Sequence, residues 1–233
     1  MKTKFPFDCT GIFSKEENYM RIINPSVTIE DDIDEIKILK SIEKAGRTCY
    51  KSENNITADS AKNFVDGIIR KGHESVLEHE KVTVRFICDR GASHEIVRHR
   101  LASYSQESSR YCNYSKEKFG NELTFIKPII FNGVDLSIPK YQDLYIIWEN
   151  AMKEAEKYYI SLINAGAKTD LARGVLPTDI KTEIVMTANL REWRHFLKMR
   201  RGKASHPNIR YLANELLKQF TERIPVIFDD INF

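Results

Sequence analysis

An alternating stretch at residues 80–88 constrains the fold more than any other feature of the chain. Every second residue is apolar, and the residues between them are mostly polar. The apolar set is Val82, Val84, Phe86 and Cys88. A period of two with one apolar side is typical of a strand that buries one face. Residues 180–187 alternate in a similar way through Ile184 and Met186, so the sequence predicts a small sheet.

Helical periodicity dominates the rest of the chain. Apolar residues recur at spacings of three and four, which is the period of one helix face. The predicted helices cover residues 31–48, 57–71, 92–98, 141–165, 171–175 and 191–200, with a last one from Pro207. Residues 115–140 and the stretch from Ser103 to Arg110 are predicted to be loops. We therefore predict an α+β fold, a helix-rich single domain with a small antiparallel or mixed sheet.

The longest predicted helix carries an apolar seam with spacings of four and three. Its members are Leu144, Trp148, Ala151, Ala155, Tyr158 and Leu162. Such a seam is typical of core packing, and a partner helix from another subunit is the alternative.

Length and charge set further limits. We expect residues 20–233 to form one domain after an N-terminal extension at residues 1–19. The net charge of +3 is too small to favour non-specific binding to a nucleic-acid polymer or to a membrane, and we expect neither partner. The four cysteines form no CxxC pair, which favours reduced thiols and a cytoplasmic protein.

Several apparent motifs fail on spacing. Gly67 and Gly72 have the glycine spacing of a phosphate-binding P-loop, but Lys and Ser or Thr do not follow. On a helix His73 and His79 would lie about 240° apart and could not share a metal ion, so we predict no metal site. The chain contains no GxGxxG motif, so a Rossmann dinucleotide site is not predicted. It also contains no GxSxG motif that would support Ser108 as a hydrolase nucleophile.

The densest polar chemistry lies at residues 98–111. This stretch holds three arginines, four serines, one histidine and two tyrosines, and it holds no glycine. Guanidinium groups and hydroxyls at this density can hold an anion such as phosphate in a fixed orientation. Without glycine, side chains rather than a flexible backbone would grip the anion. A solvated basic loop is the alternative.

A second basic cluster at residues 189–210 strengthens the anion-site interpretation. On a helix Arg191 and His195 lie one turn apart and share a face, and Arg200 falls at the helix end. A plain charged helix face accounts for the other basic residues of this cluster. It accounts less well for Asn189, Arg191 and His195 beside a strand of the buried type.

Four ordered blocks of the chain resemble the signatures of the flavin-dependent thymidylate synthases. Arg98-His99-Arg100, followed after seven residues by Ser108, resembles the family's RHR-x7-S signature. Residues 72–79 resemble its GHxSxxEH element, and residues 172–177 resemble its ARxxLP element. Asn189-x-Arg191 with Phe196-Leu197-x-x-Arg200 and Ile209-Arg210 resembles its closing helix pattern. Order and spacing agree over about residues 20–225, which makes the resemblance specific.

The resemblance implies a methyltransferase that converts dUMP to dTMP in nucleotide biosynthesis. Methylenetetrahydrofolate would supply the one-carbon unit, and FAD reduced by NADPH would supply the hydride. Residues 20–233 would then be a single catalytic domain with the family's own α/β fold. The resemblance also implies a homotetramer with active sites at subunit interfaces.

The resemblance implies a role for each matching residue as well. The expected FAD contacts are His73, Ser75, Arg98, His99, Arg100, Gln106, Asn189, Leu190, Arg191 and His195. The expected dUMP contacts are Glu95, Ile96, Val97, Arg98, Gln106, Glu107, Ser108, Ser109, Arg110, Arg173 and Arg200. A phosphate dianion accounts for Ser108, Arg110 and Arg173, because charge-assisted hydrogen bonds are about twice as strong as neutral ones.

Two of these residues are expected to act on the substrate directly. Beside the imide edge of uracil, the fixed charge of Arg200 would favour the ionised ring and make carbon 5 nucleophilic. The flavin would carry out the redox chemistry, and the protein would supply orientation. We expect Ser108 to position the phosphate rather than to attack as a covalent nucleophile.

Three departures from the family pattern leave questions open. Gln106 stands where the family has glutamate, so that position loses its negative charge. Glu95 stands where glutamine is frequent, and Ser205-His206 replaces a frequent Ala-Gln. The role of Gln106 and the folate side of the pocket therefore stay open.

A non-catalytic protein that binds nucleotides or RNA through the same arginines is the alternative from a different class. RNA binding typically shows a basic stripe interleaved with exposed aromatic residues. Tyr104 and Tyr111 fit that pattern, but the near-neutral net charge of +3 does not. A structural helical oligomer would explain the seam and would leave the arginine clusters unexplained.

Overall fold

A computed structural model describes residues 20–114 and 122–231. These residues form two compact units. The first unit consists of residues 20–23, 108–114, 122–125 and 135–180, and the second of residues 24–107, 126–134 and 181–231. The predicted extension at residues 1–19 lies outside the described residues. The single catalytic domain over residues 20–233 stays a prediction.

Helices outnumber strands in the described residues, as the periodicity predicts. The strands are β1 Arg21–Ile23, β2 Ser26–Ile29, β3 Lys81–Asp89, β4 Ala102–Gln106, β5 Thr124–Ile126 and β6 Lys181–Asn189. The helices are α1 Glu35–Thr48, α2 Ser60–Arg70, α3 Arg90–Ile96, α4 Pro139–Asn164, α5 Thr169–Ala172, α6 Leu190–Arg200, α7 Pro207–Arg223 and α8 Pro225–Phe228. Short 3-10 helices cover Glu53–Asn55, Glu74–His79, Ile129–Phe131 and Arg173–Val175.

A four-stranded antiparallel sheet forms the centre of the second unit. The strand order is β2-β3-β6-β4. Strands β3 and β6 pair over their full length, from Lys81 opposite Asn189 to Asp89 opposite Lys181. The alternation that predicted β3 is confirmed, because its apolar face is completely buried. The predicted α+β class with a small antiparallel sheet is confirmed as well.

Strand β4 corrects the prediction that the chain from Ser103 onward is a loop. Its sequence, Ala-Ser-Tyr-Ser-Gln, has no run of branched apolar residues that would signal a strand. It forms a strand because its backbone pairs with β6, from Ala102 opposite Ala188 to Gln106 opposite Ile184. Tertiary pairing overrides the local sequence preference here.

Two strands of this sheet continue directly into helices through a capping residue. Asp89 Oδ1 accepts a hydrogen bond from Ala92 N at 2.7 Å and starts α3. Asn189 Oδ1 accepts one from Glu192 N at 2.8 Å and starts α6. Asp and Asn favour this position because their side chains satisfy amides that the first turn leaves unpaired. Both caps place a helix beside the end of a buried strand.

Helix α2 starts later than predicted and ends where predicted. It begins at Ser60 rather than directly after Thr57, and the Ser60 hydroxyl accepts a hydrogen bond from Thr57 N at 2.9 Å. Gly72 has a φ of 71°, a conformation that only glycine adopts without strain, and it terminates the helix. The 3-10 helix Glu74–His79 follows at once.

The first unit is organised around α4. Strand β1 pairs with β5, and Leu123 N donates a hydrogen bond to the buried Glu156 Oε1 at 2.7 Å. The core of this unit comprises Tyr114, Leu123, Phe125, Met152, Tyr159, Ala172 and Ile180. Two residues of the predicted seam, Trp148 and Leu162, pack against this core, so core packing is confirmed for them. Leu144 and Tyr158 are 48% and 52% exposed, and a partner helix over that part of the seam stays a prediction.

Two further predictions can be compared with the described residues. Cys49, Cys88 and Cys112 are free thiols, in agreement with the expected reduced state of those three. None of the helices in the described parts of the chain combines the length and apolar character that a membrane span requires.

Candidate active site

A buried hydrogen-bond network in the second unit centres on Arg200, the last residue of α6. Arg200 is 7% exposed. Its Nε donates to His99 Nε2 at 3.0 Å, its Nη1 to Glu95 Oε2 at 2.8 Å and its Nη2 to Glu95 O at 2.9 Å. Each guanidinium nitrogen therefore uses one N–H, and each terminal nitrogen keeps a second N–H for another acceptor. The plane of the guanidinium is fixed before any substrate binds.

The network also fixes the protonation of His99, which is 3% exposed. Arginine has no acceptor, so the Arg200 Nε–H requires a lone pair on His99 Nε2. The proton of a neutral ring then lies on Nδ1, which is 2.8 Å from Glu192 Oε1. Burial lowers the pKa of His99, and the nearby charge of Arg200 lowers it further. Both observations favour a neutral ring that donates to Glu192.

The surroundings of Arg200 suit a buried cation. Arg200 and Glu95 lie near the C-terminal ends of α6 and α3, and the Glu95 carbonyl is one of the groups that a helix end leaves without an intrahelical partner. Helix C-termini carry partial negative charge, which stabilises a cation. The Glu95 carboxylate adds a full negative charge at 2.8 Å. The arrangement offsets the cost of removing this guanidinium from water.

Tyr104 supports the turn that carries His99. Its hydroxyl lies 2.6 Å from His99 O and 2.9 Å from Ile96 O, so it can donate to either carbonyl. Burial raises the pKa of Tyr104 to about 12, which keeps the hydroxyl protonated. The tyrosine of β4 thus holds the backbone between α3 and the strand.

Gln106 is held at the end of the same strand. Its Nε2 donates to Ser93 Oγ at 3.0 Å and to Thr182 Oγ1 at 3.2 Å. These bonds use the amide nitrogen, and the carbonyl oxygen is a possible acceptor on an exposed side chain. Where the family pattern has a carboxylate, this chain therefore offers a neutral acceptor.

An open cavity of about 400 Å³ lies beside Arg100 in the same unit. It is lined by Glu78, Lys81, Arg100, Leu101, Ala102, Ser103, Thr187, Ala188 and Asn189. The groove offers two cations, two hydroxyls and an amide, which match the phosphates and polar edges of a dinucleotide. Its one carboxylate, Glu78, is paired with Arg191. Of the predicted FAD contacts, Arg100 and Asn189 line this cavity directly.

The other predicted FAD contacts of this unit lie on three elements. His73 and Ser75 are exposed on the segment that ends in the 3-10 helix Glu74–His79. Arg98 is exposed in the turn after α3. Arg191 and His195 are exposed on α6, and the His195 ring centre lies 5.4 Å from that of His99.

A buried arginine of α6 links that helix to the segment with Ser75. Arg194 is 1% exposed, and its Nε and Nη2 lie 3.1 and 3.0 Å from Glu74 Oε1. Its Nη1 and Nη2 each lie 2.6 Å from an oxygen of Asp230. Paired on two sides in this way, Arg194 holds the 3-10 helix and the C-terminal segment against α6.

The first unit contains a group of serine and arginine side chains that were predicted to contact phosphate. Ser108 begins a turn in which its carbonyl accepts from Tyr111 N at 3.1 Å and Cys112 N at 3.0 Å. The Arg173 Nη1 lies 3.5 Å from Ser109 Oγ, and Arg173 and Arg110 are both exposed. The structure therefore brings the ARxxLP arginine close to Ser109, and the phosphate contacts of these residues stay a prediction.

A second cavity of about 360 Å³ borders this group. It is lined by Arg110, Tyr111, Asn113, Ala167, Lys168, Thr169 and Asp170. The Thr169 hydroxyl donates to the Arg110 carbonyl and fixes the backbone at that arginine. The Arg110 guanidinium carbon lies 5.7 Å from the centre of the Tyr111 ring.

The described residues contain one group with metal-ligand chemistry, formed by His99, Glu192 and His195. One candidate ligand atom from each lies within 4.8 Å of the others. A metal on His99 Nδ1 would displace the proton while Nε2 still accepts from Arg200, which would demand an imidazolate. The geometry therefore favours a hydrogen-bonded cluster. Neither His73 nor His79 belongs to this group.

Burial restricts several predicted contacts, and His99 and Ser109 are among them at 3% and 7% exposure. The side chains of Ile96 and Leu190 are completely buried in the core, so only their backbone groups can reach a ligand. Val97 is 41% exposed in the turn before Arg98. Glu107 forms an ion pair with Lys181 at 2.8 Å, which occupies part of its carboxylate.

Glu192 is the site residue that sequence reasoning missed. Its spacing of three from Asn189 is that of a capping box, a signal of helix structure rather than of a site. The side chain instead reaches His99, and it is 7% exposed. Only the tertiary contact reveals this role.

Comparison with known proteins decides the family. The model of the family described as "Thymidylate synthase complementing protein" matches residues 33–226. A flavin-dependent thymidylate synthase of Pyrococcus furiosus is 35% identical over 179 residues, 76% of this chain and 70% of the relative. One of Geobacter sulfurreducens is 35% identical over 193 residues, 80% of this chain and 78% of the relative. The chain belongs to the flavin-dependent thymidylate synthase family.

The family assignment confirms the predicted enzyme class, a methyltransferase that depends on a flavin. Solved structures support the fold. A UMP/dUMP methylase PolB from Streptomyces cacaoi, bound with 5-Br UMP, has a TM-score of 0.71 at 22% identity. The match covers 91% of this chain and 95% of that one. The same methylase bound with 5-Br dUMP gives a TM-score of 0.73 at 21% identity.

Proposed function

We propose that this flavin-dependent thymidylate synthase converts dUMP to dTMP with methylenetetrahydrofolate as the one-carbon donor and NADPH as the reductant of FAD. The observation that carries the proposal is the buried, pre-oriented Arg200 in a family whose named relatives form thymidylate. FAD supplies the hydride when it is bound. The chain's own residues bind, orient and polarise the nucleotide.

Arg200 would act on the pyrimidine. Its two remaining terminal N–H groups can donate to the oxygen and nitrogen of the imide edge of uracil. A fixed positive charge in a site shielded from water stabilises the negative charge that develops on the ring. Once N3 has released its proton to water, the electron density of the anion extends to carbon 5, the position that receives the methyl group. The Gln106 carbonyl would accept from the substrate or from the flavin.

The residues beside Arg100 fit the flavin. The cations Lys81 and Arg100 would face the pyrophosphate, and Asn189 and Ser103 would offer hydrogen-bond groups along the same groove. The remaining expected contacts are His73, Ser75, Arg98, His99, Leu190, Arg191 and His195. His99 is 3% exposed and both of its ring nitrogens are engaged, so only a small part of its surface would be left for the flavin.

The anion group of the first unit would hold the phosphate of dUMP. Ser108, Ser109, Arg110 and Arg173 supply hydroxyls and guanidinium groups, and charge-assisted bonds to a dianion are the strongest that this set can make. The other expected dUMP contacts, all in the second unit, are Glu95, Ile96, Val97, Arg98, Gln106, Glu107 and Arg200. We propose that the subunits of a homotetramer complete each site at their interfaces. The cytoplasmic localisation stays a prediction.

The family assignment argues against a non-catalytic RNA-binding protein. Arg200, Arg194 and His99 are buried in specific networks, whereas RNA binding relies on exposed cations and aromatic side chains. The exposed Tyr111 beside Arg110 is the feature that fits RNA best, and a single such pair is too small for a binding stripe.

Purified protein supplied with FAD tests the proposal. We expect a yellow protein whose flavin absorbance bleaches with NADPH and returns in air. With dUMP, methylenetetrahydrofolate and NADPH, chromatography should detect dTMP. A reaction without methylenetetrahydrofolate is the control and should form none. A colourless protein that takes up no added FAD, or a flavoprotein that forms no dTMP from dUMP, would overturn the proposal.

A further inference from the structure

Glu192 lies in a place that its role in the helix does not explain. As the third residue of α6 it can favour the helix through its negative charge. An exposed carboxylate would do this equally well, yet Glu192 is 7% exposed and its Oε1 lies 2.8 Å from His99 Nδ1. Burial of a carboxylate is costly unless a specific partner compensates it. The partner here is a histidine ring.

The ring connects Glu192 to Arg200 through two hydrogen bonds. Nδ1–H donates to Glu192, and Nε2 accepts from Arg200 Nε at 3.0 Å. Glu192 and Arg200 belong to the same helix but do not contact each other in this arrangement. Without an acceptor at Nδ1, the ring can carry its proton on Nε2 instead. Two N–H donors would then face each other, and the Arg200 side chain would have to turn.

The other neighbours of the ring do not replace Glu192. The Phe196 ring, whose centre lies 4.8 Å from that of His99, offers no acceptor in the plane of the imidazole. The His195 ring is exposed and lies 5.4 Å away between centres. The Tyr104 hydroxyl donates to the backbone of this turn rather than to the ring. Glu192 is the acceptor that selects the tautomer.

We propose that Glu192 is a positioning residue for the methyl-transfer site, which fixes the His99 tautomer and through it the orientation of Arg200. The inference rests on the proposed role of Arg200 in activating the pyrimidine. It assigns no contact between Glu192 and the substrate. It explains why a carboxylate in the first turn of α6 is buried against the turn after α3.

Two substitutions at one position test the proposal. Glu192→Met removes the acceptor at similar volume, and we expect kcat to fall about 100-fold, because a small misplacement of an orienting group can cost that much. The KM for dUMP should change far less, since the phosphate contacts remain. Glu192→Gln keeps an oxygen that can accept from Nδ1–H, so it should restore most of kcat.

A buried carboxylate elsewhere in the same unit supplies the matched control. Glu43 is completely buried and accepts from Arg47 Nε and Ser60 Oγ, each at 2.8 Å. Glu43→Met should lower the melting temperature and leave the kcat of the folded enzyme unchanged. If Glu192→Met lowers only stability, as Glu43→Met does, or retains near-wild-type kcat, the proposal is overturned.

Nitrogen-15 NMR of the FAD-loaded protein separates this inference from the proposed function. Wild type and Glu192→Gln should show the proton of His99 on Nδ1 and a protected Arg200 Nε–H, whereas Glu192→Met should lose both signatures. If the wild type forms no dTMP, the proposed function fails, and the NMR result still decides whether Glu192 orients Arg200. An unchanged tautomer in Glu192→Met would refute the inference even in an active enzyme.

Discussion

Arg200 and Arg173 are both expected to bind the substrate, yet their surroundings differ sharply. Arg200 is buried, and three acceptor atoms lie within 3.0 Å of its nitrogens. Arg173 is exposed, and its Nη1 lies 3.5 Å from Ser109 Oγ, a weak contact at best. One arginine is oriented by the protein in advance, and the other is left for its ligand to order.

The difference follows from what each arginine is expected to do. Polarising a neutral ring requires a charge at a fixed place, because the charge that develops on the ring is too small at the start to orient a side chain. Moving the arginine during the reaction would raise the barrier. A phosphate dianion binds strongly enough to order flexible side chains itself. Pre-orientation is therefore concentrated at the base-activating arginine, where its benefit to the rate is largest.

The largest expected effect on kcat comes from substituting Arg200, the arginine that the protein orients. Arg200→Lys keeps a positive charge but loses the planar fork that contacts His99 and Glu95. We expect kcat to fall about 100- to 1000-fold, the usual cost of losing one pre-oriented donor. Arg200→Ala should lose dTMP formation altogether and keep its FAD absorbance. Near-normal turnover of either variant would show that Arg200 does not activate the ring.

A smaller effect is expected on the ligand-ordered side. Arg173→Ala removes one charge-assisted bond to phosphate, worth about 1.5–3 kcal/mol, so the kcat/KM for dUMP should fall roughly 10- to 100-fold, mainly through KM. Deoxyuridine, which lacks the phosphate, is the matched substrate. Wild type and Arg173→Ala should use it equally poorly. A loss of the same size with deoxyuridine would place Arg173 away from the phosphate.

The smallest expected effect is a change with pH in the free energy of unfolding, caused by His99 beside Arg200. Burial lowers the pKa of His99 below its ordinary value of 6.5, so below that pH the unfolded chain binds more protons than the folded one. The stabilising contribution of neutral His99 is complete above about pH 6.5 and declines as the pH falls. The groups that face the ring are Glu192, Arg200 and His195.

Urea unfolding from about pH 7.5 to about pH 5.5, the range in which histidine titrates, measures this contribution. The free energy of unfolding should fall more steeply on acidification in wild type than in His99→Asn. Titration of the histidines and carboxylates that do not contact His99 is common to both proteins and cancels in the difference, so the difference reports His99 together with Glu192 and His195. Equal slopes would mean that His99 has the same proton affinity in the folded and unfolded states.

Much of the fold could be predicted from the sequence because the pattern repeats over many residues. The alternation in β3 and the stripes in α1, α6 and α7 each depend on four or more apolar positions. Strand β4 could not be predicted in this way, since its polar residues carry no periodic signal and its pairing partner is far along the chain. The seam of α4 was predicted correctly only in part, because apolar periodicity shows that a face tends to be buried and does not show which of its residues are covered.

The candidate site, too, could be predicted only in part. Arg98, His99, Arg100, Ser108, Arg173 and Arg200 stand in ordered motifs that resemble those of the family, and the resemblance was enough to name them as candidates. Which of these are buried, and which are exposed for a ligand, could not be predicted. Exposure depends on how α3 and α6 meet, and that contact joins residues more than a hundred positions apart.

The sequence by itself determined the family, the helix-rich fold and the chemical types at the site, because these reside in local patterns and in the order of motifs. The tertiary structure alone decided that Arg200 is oriented and Arg173 is not. It alone placed Glu192 against His99 and so fixed the tautomer. The physical reason is that hydrogen bonds form or fail over differences of a few tenths of an ångström in the distance between two groups. The groups concerned here lie far apart along the chain. No local pattern encodes those distances.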